Sequence, residues 1–288
     1  DSAEYAQAEA AFKRLADGDS EFAAEAQFMH GRSLEELQRP DEAARDYAAY
    51  VAGPGERPMK EDAFYRLALL LPPAEARAAL DAYARQFPKG RYLADVRLKL
   101  AEGLFAHGET AAAAELYRQA GEDTAASPAI RRAAAYGQAW TALKADRDDD
   151  AARGFAQLRE QAADDEIGRD ATLQLAEIAY RKDSFDEAAA GFAQLTDHPR
   201  HGERATYMLA WTRRKAGNAP EADRLFAAVL EKWPKGQFAP DAALRRAETL
   251  TLAGEAAAAA TLLAAHRYAD SPLREDALHV LCDALAQQ

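Results

Sequence analysis

The sequence predicts an all-α protein, a solenoid of helical hairpins, and three observations support this prediction. An alanine followed four residues later by a large apolar residue recurs eight times, at intervals of 33 to 38 residues. Alanine is abundant and β-branched residues are scarce, a composition that favours helices. No segment alternates between apolar and polar residues as a strand would. An end-to-end repeat of this length is typical of stacked hairpins, in which each unit covers the apolar face of the next. The eight pairs are Ala8/Phe12, Ala43/Tyr47, Ala76/Leu80, Ala113/Tyr117, Ala151/Phe155, Ala188/Phe192, Ala222/Phe226 and Ala259/Leu263.

Clusters of proline and glycine lie between these pairs and mark the boundaries of the repeats. Within each repeat a turn without proline, such as His107-Gly108-Glu109, separates two helices. We therefore expect about sixteen helices, with a partial first repeat at 1–18 and a single last helix at 272–288. The 288 residues are predicted to form one elongated domain, which we interpret as part of a longer protein. The divisions are Gly53-Pro54-Gly55, Leu71-Pro72-Pro73, Phe87-Pro88-Lys89-Gly90, Ser127-Pro128, His198-Pro199, Trp233-Pro234-Lys235-Gly236 and Ser271-Pro272.

The small and large positions also predict how the helices pack. In the sixth unit, Ala176 and Ala188 are expected where the paired helices cross, because small side chains let two backbones approach. Phe192 is expected to fill the space between this hairpin and the next.

These residues resemble the tetratricopeptide repeats, a family of two-helix units with small residues at two crossing positions, an aromatic residue after the second and a proline at the end. The seventh unit matches this pattern best, and several units run to 37 or 38 residues where the family has 34. The resemblance implies a right-handed α–α superhelix that binds protein or peptide partners. The matching residues of the seventh unit are Leu209-Ala210, Gly217, Ala222, Phe226 and Pro234.

Three unit boundaries carry a narrower resemblance, to linkers in bacterial outer-membrane assembly lipoproteins and in the periplasmic coordinator of the Tol-Pal system. It implies a periplasmic or cell-envelope location, with the cytoplasm as the alternative. The boundaries are 87–95, 233–242 and 268–277.

Composition and charge exclude several kinds of partner. There are 36 Lys and Arg residues against 48 Asp and Glu, a net charge of −12, whereas a surface that follows nucleic-acid phosphates needs an excess of cations. No apolar run approaches the roughly 20 residues that span a bilayer, so we expect no membrane insertion of this segment. The single Cys282 cannot form an internal disulfide. We expect no cofactor, and the oligomeric state is left open.

No residue pattern predicts catalysis or a metal site. Serines at predicted helix starts, among them Ser20, Ser127, Ser184 and Ser271, are interpreted as caps. His198 and His201 form no zinc site without a carboxylate or cysteine partner. The acidic runs 148–150 and 164–166 precede predicted helices, where negative charge complements the helix dipole. Cys282 is predicted to be a buried apolar residue, on a stripe with Leu278, Leu281 and Leu285.

The resemblance implies that the first helix of each hairpin lines a concave groove. Its fifth and ninth positions place Tyr and Trp pairs in two alternate units, and Trp, Tyr and Arg often carry binding energy at interfaces. The predicted partner-binding residues are Phe28, Arg32, Tyr136, Trp140, Tyr180, Arg181, Arg204, Tyr207, Trp211 and Arg214.

The sequence therefore favours a non-enzymatic adaptor that holds a segment of another protein in this groove. The alternative is a periplasmic spacer or assembly domain of a larger secretion or polysaccharide-export machine. An enzyme has no positive support in the sequence.

Overall fold

The computed structural model describes residues 2–55, 57–161, 165–265 and 272–286. Within these ranges the chain forms sixteen α-helices and no β-strand, which confirms the predicted all-α class and helix number. The helices are α1 (Ser2–Ala16), α2 (Ala23–Glu36), α3 (Pro40–Ala52), α4 (Lys60–Leu70), α5 (Pro73–Gln86), α6 (Leu93–Ala106), α7 (Thr110–Glu122), α8 (Pro128–Lys144), α9 (Asp148–Gln161), α10 (Glu166–Arg181), α11 (Phe185–Ala193), α12 (Gly202–Lys215), α13 (Ala219–Lys232), α14 (Ala239–Leu252), α15 (Ala256–Ala264) and α16 (Arg274–Ala286).

Two compact units divide the chain, and we call them unit 1 (Asp1–Arg147) and unit 2 (Asp148–Gln288). Unit 1 contains α1 to α8 and unit 2 contains α9 to α16. Within each unit every helix packs against the next helix in sequence. Two pairs of first helices from successive hairpins also meet, α6 with α8 in unit 1 and α14 with α16 in unit 2. This sequential packing is what a helical repeat requires, since each hairpin buries its apolar face against its neighbour.

The repeated small and large pairs form the core. From the second pair onward, the large member of every pair is buried. In unit 2, Ala176, Ala188 and Phe192 join Leu209 of α12 in one buried cluster, as the crossing positions predict. The approach is close: a Cβ on Gly191 would lie 2.8 Å from Cβ of Ala176. The buried large residues are Tyr47, Leu80, Tyr117, Phe155, Phe192, Phe226 and Leu263.

The predicted serine caps hold in part. Ser127 Oγ accepts from the backbone N–H of Ile130 at the start of α8 (3.2 Å). Ser20 Oγ accepts from the N–H of Phe22 (3.1 Å), the N-cap residue of α2, so Ser20 lies two residues before the N-cap. Ser184 stands at the N-cap of α11, but its side chain makes no capping bond. Ser271 lies outside the described residues.

The acidic runs lie at helix starts, as expected from the dipole. Asp148, Asp149 and Asp150 form the first turn of α9. Asp165 caps α10 by accepting from Gly168 N–H (2.9 Å), whereas Asp164 lies outside the described residues.

The prediction that Cys282 is buried is wrong. The thiol is exposed, and its neighbours Leu278 and Leu285 are 50% and 55% exposed. The physical reason is that α16 packs on α14 and α15 through a different face, which carries Ala277, Val280 and Ala284. The stripe that carries Cys282 lies on the adjoining face.

Candidate partner-binding surfaces

Trp211 on α12 is the centre of the best-defined surface in unit 2. It is partly exposed, and it meets Phe226 of α13 edge-on with 6.0 Å between ring centroids. The guanidinium carbons of Arg214 and Arg245 lie over its ring, 5.5 and 5.4 Å from the centroid. Both distances are within the range of a cation–π interaction. The indole is therefore anchored in the core on one side and held by two cations on the other.

Carboxylates of α14 balance these two cations. Arg214 Nη2 donates to Glu248 Oε2 (2.8 Å), and Arg245 donates to Glu248 Oε1 (2.5 Å). Arg245 also donates to Asp241 Oδ1 (3.1 Å), while the hydroxyl of Tyr207 donates to Asp241 Oδ2 (2.6 Å). Two positive and two negative groups thus surround the indole. We call Tyr207, Trp211, Arg214, Arg245 and Glu248, with Asp241, the Trp211 surface.

The other predicted arginines of unit 2 also have partners within the chain. Arg204 Nε lies 2.6 Å from Glu177 Oε1, and Arg181 Nη2 donates to Asp148 Oδ1 (2.7 Å). Burial raises the pKa of Glu177, although the charge of Arg204 opposes that effect. Arg181, Arg204 and Arg214 are therefore neutralised in place, and a ligand anion would have to displace a carboxylate from each.

Tyr180 on α10 has a mixed role. Its ring meets Phe185 edge-on at 6.1 Å and packs against the buried cluster around Phe192. Burial raises the pKa of its hydroxyl. It contributes to packing and offers a partner only part of its surface.

In unit 1, the structure corrects the role predicted for Phe28. This side chain is 4% exposed and lies 5.6 Å, between centroids, from both Tyr47 and Tyr50 of α3. A fifth-position side chain packs against the second helix of its own hairpin, and Leu98, Leu173 and Leu244 are buried at the same position. Phe28 is thus a core residue, whereas Arg32 on the next turn of α2 is exposed.

Tyr136 and Trp140 on α8 form a second aromatic pair, which belongs to unit 1. Their rings are T-shaped with centroids 6.2 Å apart, and both side chains are partly exposed. Each unit therefore has its own Tyr/Trp pair on a first helix.

The similar sequences at 87–95 and 233–242 form the same kind of junction between successive hairpins, one in each unit. In unit 1, Glu61 Oε1 accepts from the backbone N–H of Arg91 (2.6 Å), and in unit 2 Glu203 Oε1 accepts from that of Phe238 (2.9 Å). The glycine of each motif leaves room for this carboxylate. A Cβ on Gly90 would lie 2.6 Å from Glu61 Oε1, and one on Gly236 would lie closer still to Glu203 Oε1.

A stacked aromatic pair completes each junction. Tyr65 stacks on Tyr92 with centroids 4.2 Å apart, and its hydroxyl donates to Asp95. Tyr207 stacks on Phe238 at 4.5 Å and donates to Asp241. These contacts were not predicted, although the sequence carries a signal for them, since a glutamate four residues before a tyrosine precedes each boundary. The third boundary, at 268–277, lies partly outside the described residues.

Comparison with known proteins agrees with this architecture. The tetratricopeptide repeat family model matches residues 1–57 and 207–272. In these two segments the chain is similar to the tetratricopeptide repeat family.

Solved structures with a similar fold cover most of the chain. One is a tetratricopeptide repeat protein from Parabacteroides merdae, at 14% identity and TM-score 0.56, with 91% of this chain and 98% of that chain covered. A second is Pseudomonas aeruginosa pilF, at 13% identity and TM-score 0.54, with 74% and 93% covered. A third is the APC/C hetero-tetramer Cut9–Hcn1, at 15% identity and TM-score 0.51, with 90% and 49% covered. Similarity at these identities concerns the fold alone. No curated protein sequence matches the chain.

The pair His198 and His201 has a carboxylate neighbour that the sequence pattern did not predict. Glu166 Oε1 lies 3.5 Å from His198 Nε2, and Oε2 lies 3.8 Å from His201 Nε2. The two rings stack at 5.0 Å. His201 is 6% exposed, and burial lowers its pKa. Across the described residues, no three His, Cys, Asp or Glu side chains are placed to hold a metal ion.

None of the described helices combines the length and the apolar composition that crossing a membrane requires.

Proposed function

We propose that this chain is a non-catalytic adaptor that binds a segment of another protein on the Trp211 surface of unit 2. The observation that carries this proposal is Trp211 itself, a large aromatic side chain that is anchored at its base and partly exposed between Arg214 and Arg245. Tetratricopeptide repeat proteins bind protein or peptide partners. Rigid Trp, Tyr and Arg side chains are the residue types that contribute most of the energy at such interfaces.

The charges around Trp211 suggest how a partner is recognised. Asp241 and Glu248 already balance Arg214 and Arg245. A strongly acidic partner would have to compete with these carboxylates, so we propose an uncharged or weakly charged segment with an apolar or aromatic side chain against the indole. Binding of such a segment should depend only weakly on salt, because screening acts mainly on exposed net charge.

Arg32, Tyr136 and Trp140 in unit 1 are proposed as further contacts of the same or another partner. This proposal is based on the residue types alone. A Trp140→Ala variant tests it separately from the Trp211 surface. If partner capture is unchanged in this variant, unit 1 takes no part through that residue.

The test of the main proposal is partner capture from a lysate of the source cells by wild-type protein, Trp211→Ala and Leu69→Ala, quantified by mass spectrometry. Leu69 is the matched control because it holds the corresponding position on α4 and is 45% exposed. We expect Trp211→Ala to reduce capture of at least one protein tenfold or more, about 1.4 kcal/mol, while Leu69→Ala retains it. Equal capture by all three folded proteins would contradict the proposal.

We also propose a location in the bacterial cell envelope. Its support is the resemblance of the boundaries at 87–95 and 233–242 to linkers of envelope proteins. Fractionation of the source cells, with detection of the natural full-length protein, tests this location. Recovery in the cytoplasmic fraction alone would contradict it.

A second candidate function is a spacer or assembly domain of a larger envelope machine. The specific observation in its favour is that Tyr65, Tyr92, Tyr207 and Phe238 are used to join hairpins to each other. If the chain is a spacer, substitution of Gly90 or Gly236 should impair assembly of the machine, whereas Trp211→Ala should not. An adaptor should show the reverse pattern.

A further inference from the structure

A trough lies on the opposite side of α10 from any surface used so far, between the second helices α9 and α11 of unit 2. Both helices pack against α10, and the space between them has a volume of about 480 Å³. Its floor is formed by α10 through Leu175, Ala176 and Ala179. Ligand sites commonly have volumes of this order.

The trough exists because its walls lack large side chains. The repeated small and large pairs align Gly191 of α11 with Gly154 of α9 and with Leu225 of α13. Leu225 packs against the buried cluster around Phe192, so a leucine occupies this place in the following hairpin. Gly191 is buried where α11 crosses α10, because a Cβ there would lie 2.8 Å from Cβ of Ala176. Ala190 beside it is exposed. The same aligned position thus carries a leucine on α13 and no side chain on α11.

Two charged side chains of opposite sign line the trough near its ends. When α11 and α9 are aligned on Phe192 and Phe155, Glu187 of α11 corresponds to Asp150 of α9. Arg159 lies nine residues after Asp150, about 13 Å further along the axis of α9. Neither of them forms an ion pair with another described residue. The third ionisable group, Lys182, is bound to Asp149. The trough therefore has a positive end at Arg159 and a negative end at Glu187.

The walls also determine the backbone conformation of an occupant. They are helices whose backbone groups are bonded internally, so they cannot pair with the N–H and C=O groups of an extended strand. A helix satisfies its own backbone bonds, and one of about ten residues covers the length of the trough. Small side chains on both sides allow such a helix to approach closely.

We propose that the trough between α9 and α11 binds an α-helical segment of another protein, with an acidic residue opposite Arg159 and a basic residue opposite Glu187. The face of that helix toward α10 carries small or medium apolar side chains. This site is separate from the Trp211 surface and does not depend on it.

The experiment uses a displayed library of helical peptides of about 20 residues, selected on the full chain and on two variants. Ala190→Trp fills the trough. Ala193→Trp is the matched control, because Ala193 is exposed on the same helix and does not line the trough. We expect helices that are enriched at least about tenfold on wild type and Ala193→Trp over Ala190→Trp. Thermal unfolding and circular dichroism confirm that both variants are folded.

The charge order provides a second, independent readout. On the double variant Arg159→Glu, Glu187→Arg, the selected helices should carry acidic and basic residues in the reverse order. Enrichment that is insensitive to Ala190→Trp, or an unchanged charge order, would overturn the proposal. So would selection of extended, proline-containing peptides, which would identify a strand as the occupant, or self-association of the chain lost in Ala190→Trp, which would identify a second copy.

Discussion

The junction α4–α6 in unit 1 and the junction α12–α14 in unit 2 have the same framework but different surfaces. Both contain a glutamate that accepts a backbone N–H, a glycine that makes room for it, and a stacked aromatic pair whose tyrosine donates to an aspartate. At the position of Trp211, however, α4 has Leu69. The framework is what two hairpins need in order to pack, and the residues that differ are where function can be specific.

Helix length explains much of the difference. α4 has 11 residues and ends before Leu71-Pro72, whereas α12 has 14 and continues to Lys215. The missing turn removes the position that Arg214 occupies. Counted from the junction aspartate, Lys99 and Glu102 take the places of Arg245 and Glu248, and burial raises the pKa of Glu102. Unit 1 therefore has no indole held between two cations at this junction.

The largest expected effect is on the junction glycines. In Gly90→Ala the new Cβ would lie 2.8 Å from Cβ of Phe87 as well as close to Glu61, and Phe87 Cβ cannot rotate away. In Gly236→Ala the three nearest atoms belong to the Glu203 carboxylate, which can move at the cost of its hydrogen bond. We expect losses of unfolding free energy of about 3 kcal/mol for Gly90→Ala and about 1 kcal/mol for Gly236→Ala.

Double variants refine this comparison by chemical denaturation. Glu203→Ala should make Gly236→Ala nearly neutral, whereas Glu61→Ala should leave most of the cost of Gly90→Ala in place. Equal rescue in both units would mean that the two junctions are held by the same contacts after all.

The next effect concerns binding. Trp211→Leu introduces the residue that unit 1 has at this position, which keeps apolar contact with Phe226 but removes the ring between Arg214 and Arg245. We expect the affinity for a partner identified by capture to fall by about 2 kcal/mol, roughly 30-fold, as measured by isothermal titration calorimetry. The reverse change, Leu69→Trp, should create no binding, because α4 has no counterpart of Arg214. A gain of affinity in Leu69→Trp would show that the aromatic ring suffices.

Removing the hydroxyl of either junction tyrosine is expected to lower the unfolding free energy by the same small amount. Tyr65→Phe and Tyr207→Phe each remove one hydroxyl bond to an aspartate and retain the stacked ring. Each should cost about 1 kcal/mol of unfolding free energy, measured by denaturant titration. A clear difference between them would mean that Arg245, which shares Asp241 with Tyr207, compensates in unit 2 alone.

The fold could be predicted from the sequence because it depends on local periodicity. The spacing of Ala188 and Phe192, repeated in the other pairs, determines which face of each helix is buried, and this needs no knowledge of distant contacts. The junction could not be predicted in this way, since Glu61 and Gly90 belong to different hairpins. Phe28 was misplaced because helical spacing identifies a row of residues without saying whether it faces the groove or the second helix. The ion pairs of Arg181, Arg204 and Arg214 escaped for the same reason as the junction: each partner lies on another helix.

The smallest effect is on pH dependence, and it distinguishes the starts of α4 and α12. His201 precedes α12 where Met59 precedes α4. Burial lowers the pKa of His201 in the folded chain, although Asp170 and Glu166 oppose this effect and His198 and Arg200 add to it. The unfolded chain therefore takes up a proton first as the pH falls below the ordinary histidine value of about 6.5, so the contribution of His201 to stability is complete above that pH and is lost below it. His201→Met should reduce the drop in melting temperature between pH 7.5 and pH 5.5, measured by calorimetry, while Met59→Leu should leave it unchanged. The same drop in all three proteins would mean that the carboxylates around this turn, and not the buried imidazole, determine how unit 2 responds to acid.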